Sequence, residues 1–347
     1  MTEGWRRQYY IKKQSLYCKK DYFAARCSES TKLGSSKARE CKDQRVQMAE
    51  RAREGYEMIR LNGKQVDMNH FPDGTLLLKE KATDNVLDGR HCAVITWNFE
   101  SNEELLAVYF LTRHLQSAGM DDITLDMPYI PNARQDRVKN PEDIFTLKYF
   151  AELINSLHFT KVRVLDAHSN VSLALLDRVE AITPEPYIRR AVEKITQESG
   201  RAPLMFYPDE GAGKRYSNMM EGPYCFGIKQ RDWSTGKIKG LTIEGESELV
   251  AGSDVLIVDD ICSYGGTFYH SARKLKEFGA GKIYLFISNC EVSILEGEVL
   301  KGDLLERVFT TDSIFPTEQD WTDRGEDFVK GFAKIEVFEW NEKRLGR

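Results

Sequence analysis

The sequence predicts an α/β protein made of two tandem, mainly parallel sheets with an N-terminal helical extension. Three observations predict it. From about residue 58, short β-favouring runs alternate with helix-like stretches, the pattern of parallel sheets covered on both faces. The alternation comes in two series, broken near 180–205, which favours a duplicated architecture over one large sheet. Within the second series, 255–267 reads as four β-favouring apolar residues, paired acids and a glycine turn, and a helix-like pattern follows from 270. That order is the usual setting for an anion site at a helix N-terminus.

Taken in order, residues 1–58 are rich in Lys and Arg (Arg6, Arg7, Lys12, Lys13) interleaved with Trp5, Tyr9, Tyr10 and Tyr17. Basic residues among aromatics suit either nucleic-acid contact or a helical arm packing on the body or a neighbouring subunit, and the arm is the favoured reading. Ser35-Ser36 can cap a helix whose apolar residues include Val46, Ala49 and Tyr56. Strands are expected at 58–61, 76–78, 92–96, 122–125 and 162–165, and helices at 102–117 and 144–157. Leu105, Val108, Leu111 and Leu115 put the first of those helices on the core. The second series has strands at 204–207, 224–228, 255–258 and 283–287, with 335–338 returning to one of the sheets.

Composition limits the function. At 347 residues the chain is long enough for two domains and an extension. A charged share of 30% and a net charge of −5 describe a globular protein without a general affinity for nucleic acid. The seven cysteines are scattered, with neither CxxC nor zinc spacing, so reduced thiols in a cytoplasmic compartment are expected. No signal-like or membrane-length apolar run occurs.

Several stretches carry chemistry. Asp259 and Asp260 can accept hydrogen bonds from a ribose diol, and Gly265, Gly266 and Thr267 can wrap a phosphate with N–H groups and a hydroxyl. Phe71-Pro-Asp73-Gly-Thr75 is a turn between strands. Arg134-Gln135-Asp136-Arg137, delivered by a strand end, offers a guanidinium for phosphate and an amide for a base edge, or is a solvated polar loop. His168 and Asp209 each end a strand, the latter before a glycine loop, and could share Mg²⁺ with ATP phosphates. Lys229 and Arg231, two apart on a strand end, project to one side and could reach one phosphate chain.

In series these pieces resemble the ribose-phosphate diphosphokinases (phosphoribosyl-pyrophosphate synthetases), and 255–267 resembles the phosphoribosyl-pyrophosphate loop of type I phosphoribosyltransferases. Phe71–Thr75 is similar to that family's Phe-Ser-Asp-Gly-Glu, Ala133–Asp136 to Ala-Arg-Gln-Asp, Asp166–His168 to Asp-Leu-His, Pro208–Gly211 to Pro-Asp-Ala-Gly, and Lys229–Arg231 to Lys-Arg-Arg. The resemblance covers about 58–315 and implies two phosphoribosyltransferase-like domains, 59–190 on the ATP side and 191–347 carrying the ribose-phosphate loop. It implies ATP at Phe71, Asp73, Arg134, Gln135 and Asp136, and Mg²⁺ at His168 and Asp209. It implies catalysis by Lys229 and Arg231, and ribose phosphate at Asp259, Asp260, Ser263, Tyr264, Gly265, Gly266 and Thr267. Transfer of the β,γ-diphosphoryl group of ATP to an anomeric hydroxyl, releasing AMP, would follow. So would a homo-oligomer, because the Phe-Asp turn of the family reaches a neighbour's nucleotide.

The sequence departs from the family pattern at several points. Thr75 replaces Glu, Lys139 falls near a position usually acidic, and 318–347 replaces the terminal helix. Ser263-Tyr264 replaces the Asp-Thr that precedes the glycines. A phenol ring at that loop suits a 5-phosphate esterified onward, so the expected acceptor is ADP-ribose, as in the NAD⁺-rebuilding branch known from bacteriophages, with ribose 5-phosphate the alternative. Three rivals on the same fold are a base-transferring phosphoribosyltransferase, a silent regulatory subunit and an RNA-binding regulator. The first has no need of Arg134-Gln135 or Lys229/Arg231, the second would have lost those cations, and the third would need a basic face.

Overall fold

The computed structural model describes residues 59–80, 92–231, 238–316 and 332–340, apart from the side chains of 229–231 and 238–241. The extension read at 1–58, its helix and its aromatic-basic pattern lie outside the described residues. Both sheets belong to one compact unit, Tyr56–Arg347.

The first sheet has the order β3-β2-β1-β4-β5-β6-β7. Its strands are β1 (Ile59–Leu61), β2 (Lys64–His70), β3 (Leu76–Glu80), β4 (Cys92–Trp97), β5 (Asp122–Asp126), β6 (Lys161–Leu165) and β7 (Val179–Ile182). β4 to β7 are parallel, as the alternation with α1 (Glu103–Ser117), α2 (Thr146–Asn155) and α3 (Asn170–Leu175) requires. β1 to β3 form an antiparallel edge. Sequence reading had missed β2 and β7. β2 holds one buried residue in seven, Val66, and the ends of β7 are only half-buried, so neither reads as an apolar run.

The second sheet has the order β10-β9-β8-β11-β12-β13-β14. It comprises β8 (Leu204–Tyr207), β9 (Tyr224–Arg231), β10 (Ile238–Gly245), β11 (Val255–Cys262), β12 (Ile283–Cys290), β13 (Arg307–Thr311) and β14 (Ile335–Phe338). All neighbours are parallel except β10 on β9. β12 is buried at all eight positions, and one face of the sheet packs on α4 (Glu185–Ser199) through Tyr187, Ile188, Ala191 and Ile195. The architecture is the expected α/β fold of two mostly parallel sheets.

Two local expectations are corrected. Asp259 and Asp260 do not begin a loop: β11 continues through them to Cys262, because that backbone keeps its register with β12 as far as Cys262↔Cys290. The stretch after Asp209 is not a glycine loop but the helix α5 (Glu210–Tyr216). Asp209 caps it by accepting from Ala212 N at 3.0 Å, which outweighs the weak helix propensity of Gly211 and Gly213. The helix α6 (Gly266–Glu277) starts at the glycine turn as read.

Candidate active site

The carboxyl ends of the parallel strands bring the two sheets together through side chains. His168 follows β6 and meets Asp260 on β11, with Nδ1 2.6 Å from Oδ2. Asp166, between β6 and His168, holds a left-handed backbone (φ 47°), a conformation Asp tolerates better than most residues. That turn sends its carboxylate into the second half, where it accepts from Tyr216 Oη at 2.7 Å and Ser288 Oγ at 2.5 Å. Arg215, on α5, closes the cluster. Its Nη1 lies 3.1 Å from Asp260 Oδ2 and 3.8 Å from Asp166 Oδ1, and its Nη2 donates to the His168 carbonyl.

This geometry separates the two acids of the β11 pair. Burial pushes the Asp260 carboxyl up, but the His168 hydrogen bond and the Arg215 charge outweigh it and hold the group below the ordinary carboxylate range. Among the described residues, Asp259 pairs with no such cation. Burial first, then the neighbouring charges of Asp260 and Asp209, push it well above that range. Asp166 is raised to about 6, chiefly by burial, against the hydrogen bonds from Ser288 and Tyr216.

Beyond these acids the chain turns through Ser263 and Tyr264. Tyr264 is 60% exposed, so its ring stands free of the core. Gly265 is left-handed (φ 74°), and a Cβ there would lie 2.5 Å from Val299 Cγ1, so glycine is required on both counts. At Gly297 a Cβ would collide with the Tyr264 carbonyl oxygen. The 297–299 segment therefore supports the turn from below. Gly266 and Thr267 open α6, whose first N–H groups have no helical acceptor.

The nucleotide-side candidates are arranged differently. Arg134 is exposed and ion-paired with Glu291, just past β12, at 2.6 Å. The exposed Gln135 accepts from Thr146 Oγ1 at 2.7 Å. Asp136 turns inward onto Arg137 at 2.9 Å, and that bond lowers its pKa. Phe71 is exposed on the β2–β3 turn, at the far edge of the first sheet from β6. Asp73 Oδ1 accepts from both N and Oγ1 of Thr75, at 3.0 and 2.7 Å, so the Thr that replaces Glu closes the turn locally. Lys229 and Arg231 sit on β9, opposite Leu241 and Ile238, while their side chains lie outside the described residues.

The junction thus unites His168, Asp259, Asp260 and, through its charge, Asp209, and links Arg134 to them by way of Glu291. It does not draw in Phe71 or Asp73. Sequence reading assigned no role to Asp166, Arg215, Tyr216, Ser288 or Glu291. A usable signal existed for Ser288, a polar residue ending the apolar run 283–287, and for Arg215, a basic residue one helix length after Asp209.

Whether these residues suit a divalent cation can be tested on the donors. A metal-binding histidine commonly gives its other ring nitrogen to a carboxylate, as His168 gives Nδ1 to Asp260. Asp209 lies near enough to Asp259 for its charge to raise that carboxyl, so two acids face one another there. Mg²⁺ is usually held by one or two carboxylates plus substrate phosphates. The donor set fits.

Comparison with known proteins points the same way. Residues 43–157 match the family described as the N-terminal domain of ribose phosphate pyrophosphokinase. A ribose-phosphate pyrophosphokinase of Saccharolobus solfataricus is 23% identical over 63% of this chain and 74% of its own length. One from Listeria ivanovii is 26% identical over 78% of this chain and 86% of its own. The crystal structure of phosphoribosylpyrophosphate synthetase from Mycobacterium smegmatis shares the fold, with a TM-score of 0.61 at 17% identity over 79% of this chain and 85% of that one.

Proposed function

We propose that this chain, which is similar to the ribose-phosphate pyrophosphokinases, moves the β,γ-diphosphoryl group of ATP to the anomeric hydroxyl of a ribose 5-phosphate group, releasing AMP. Asp259 and Asp260 accept hydrogen bonds from the ribose diol. The N–H groups of Gly265, Gly266 and Thr267 hold the 5-phosphate at the start of α6. Arg134 and Gln135 bind the nucleotide, with Asp136 fixing their loop. His168 and Asp209 would hold Mg²⁺, whose charge offsets that of the ATP phosphates. Lys229 and Arg231, on one side of β9, meet the negative charge that builds on the transferred and leaving oxygens. Phe71 and Asp73 serve the nucleotide of a neighbouring subunit in a homo-oligomer, a role that the exposure of their turn supports.

The proposed acceptor is ADP-ribose rather than ribose 5-phosphate, within an NAD⁺-rebuilding reaction. The observation that carries this choice is the exposed ring of Tyr264 beside the phosphate turn. A terminal 5-phosphate gains little from a phenol. A 5-phosphate esterified onward gains a stacking surface for its adenosine, worth about 1–3 kcal/mol by analogy with base–aromatic stacking. The names of the relatives favour ribose 5-phosphate as the second reading. Product analysis with ATP and Mg²⁺ tests both: AMP and a diphosphorylated sugar are expected, and ADP instead of AMP sinks the reaction class. For the acceptor, kcat/KM is compared between ADP-ribose and ribose 5-phosphate in wild type and in Ser263→Asp/Tyr264→Thr. A wild-type preference for ribose 5-phosphate, unchanged in the double variant, ends the ADP-ribose reading.

A further inference from the structure

The Arg215 guanidinium is the one described cation that touches Asp166, Asp260 and the His168 backbone together. It lies over the Tyr216 ring at 5.7 Å, and its side chain is only 27% exposed. Its Nη1 ion-pairs with Asp260 Oδ2, the same oxygen that meets the His168 ring, but makes no hydrogen bond of its own. A ring nitrogen and a cation at one oxygen favour one orientation of the carboxylate, and so the direction in which the other oxygen is presented. The planar guanidinium does this while its second arm, Nη2, donates to the His168 carbonyl, a fork that an ammonium lacks.

We propose that Arg215 is a positioning residue for the sugar acceptor: it orients Asp260 toward the ribose diol and, by gripping the His168 carbonyl, ties that acid to the His168 turn of the first sheet. The inference rests on the sugar site proposed above. Arg215 acts through Asp260 and His168 and makes no contact with substrate. Its loss falls chiefly on acceptor binding; the nucleotide contacts of Arg134 and Gln135 are left as they were, and only the His168 link carries a smaller effect to that side.

The test uses the full chain with Arg215→Met and Arg215→Lys. AMP formation is followed against varied acceptor at saturating ATP, and against varied ATP at saturating acceptor. Acceptor binding is measured in parallel by calorimetry with ribose 5-phosphate and ADP-ribose, and melting temperature is recorded. Arg215→Met should raise the acceptor KM and dissociation constant at least tenfold while the ATP KM stays within about twofold, and Arg215→Lys should recover part of the loss. If Arg215→Met does not fold, Arg215→Lys carries the test through a severalfold rise in acceptor KM alone. Unchanged acceptor KM and binding, or an equal rise for acceptor and ATP, overturns the proposal. So does a fall in kcat that only follows the melting temperature. Wild type that makes no AMP with either acceptor would instead sink the proposed function, and calorimetry would still report whether Arg215 governs sugar binding.

Discussion

The two sides of the junction are built to different standards. On the proposed sugar side Asp260 is 7% exposed and held by the Arg215 guanidinium and the His168 ring, and Asp166 is held by two hydroxyls. On the nucleotide side Arg134 and Glu291 make one pair at 46% and 34% exposure, and Phe71 stands in solvent. Burial raises the strength of each electrostatic contact and the cost of leaving one unmade. The proposed sugar side is therefore fixed by buried contacts, whereas the proposed nucleotide side rests on exposed ones.

The largest break in that contrast is expected from Asp260→Asn. It removes the anion shared by Arg215 and His168, so unfolding experiments should show a loss of about 3 kcal/mol, typical of removing one member of a buried ion pair. Acceptor turnover should fall with it by about 10²-fold or more. A variant as stable as wild type would mean that the cluster is solvated in solution and the two sides are alike.

Asp312 sharpens the comparison as another carboxyl that burial raises, one that a backbone N–H holds. It accepts from Trp340 N at 2.6 Å, and burial raises it to about 6, against the Trp340 bond and the charge of Arg60. A carboxyl raised above its ordinary 3.8 binds its proton more tightly when folded, so its contribution is full at low pH and is lost as pH rises through about 6. Asp312→Asn should flatten that part of the stability profile between about pH 4 and 6, as read by melting temperature. An unaltered slope would assign the dependence to other acids. Asp260, lowered rather than raised, contributes with the opposite sign.

The smallest effect belongs to the exposed pair. Glu291→Gln frees Arg134 from a contact worth at most about 1 kcal/mol. The ATP KM should fall, by no more than about fivefold, with the melting temperature nearly unchanged. A rise in KM would show that Glu291 helps to bind the nucleotide rather than competing for its arginine.

What the sequence determined by itself was what local pattern can encode. The apolar run 204–207 became a strand with those bounds, because a run buried on both faces announces itself in composition; 335–338 also kept its bounds, on the strength of its β-favouring Ile335, Val337 and Phe338. The strand–turn–helix at 255–277 was legible for the same reason, and the glycines after Tyr264 marked a backbone that only glycine adopts. Strands with one buried face or half-buried ends, such as β2 and β7, left too faint a period to read. Where β11 ends was decided by pairing with β12, and the helix after Asp209 by a capping bond that overrode two glycines. Arg215, Tyr216 and Ser288 acquired partners only through the tertiary structure. Their contacts with Asp166 and Asp260 span 45 to 122 residues of chain, and no periodicity within one segment can specify a contact whose other half lies in a distant element.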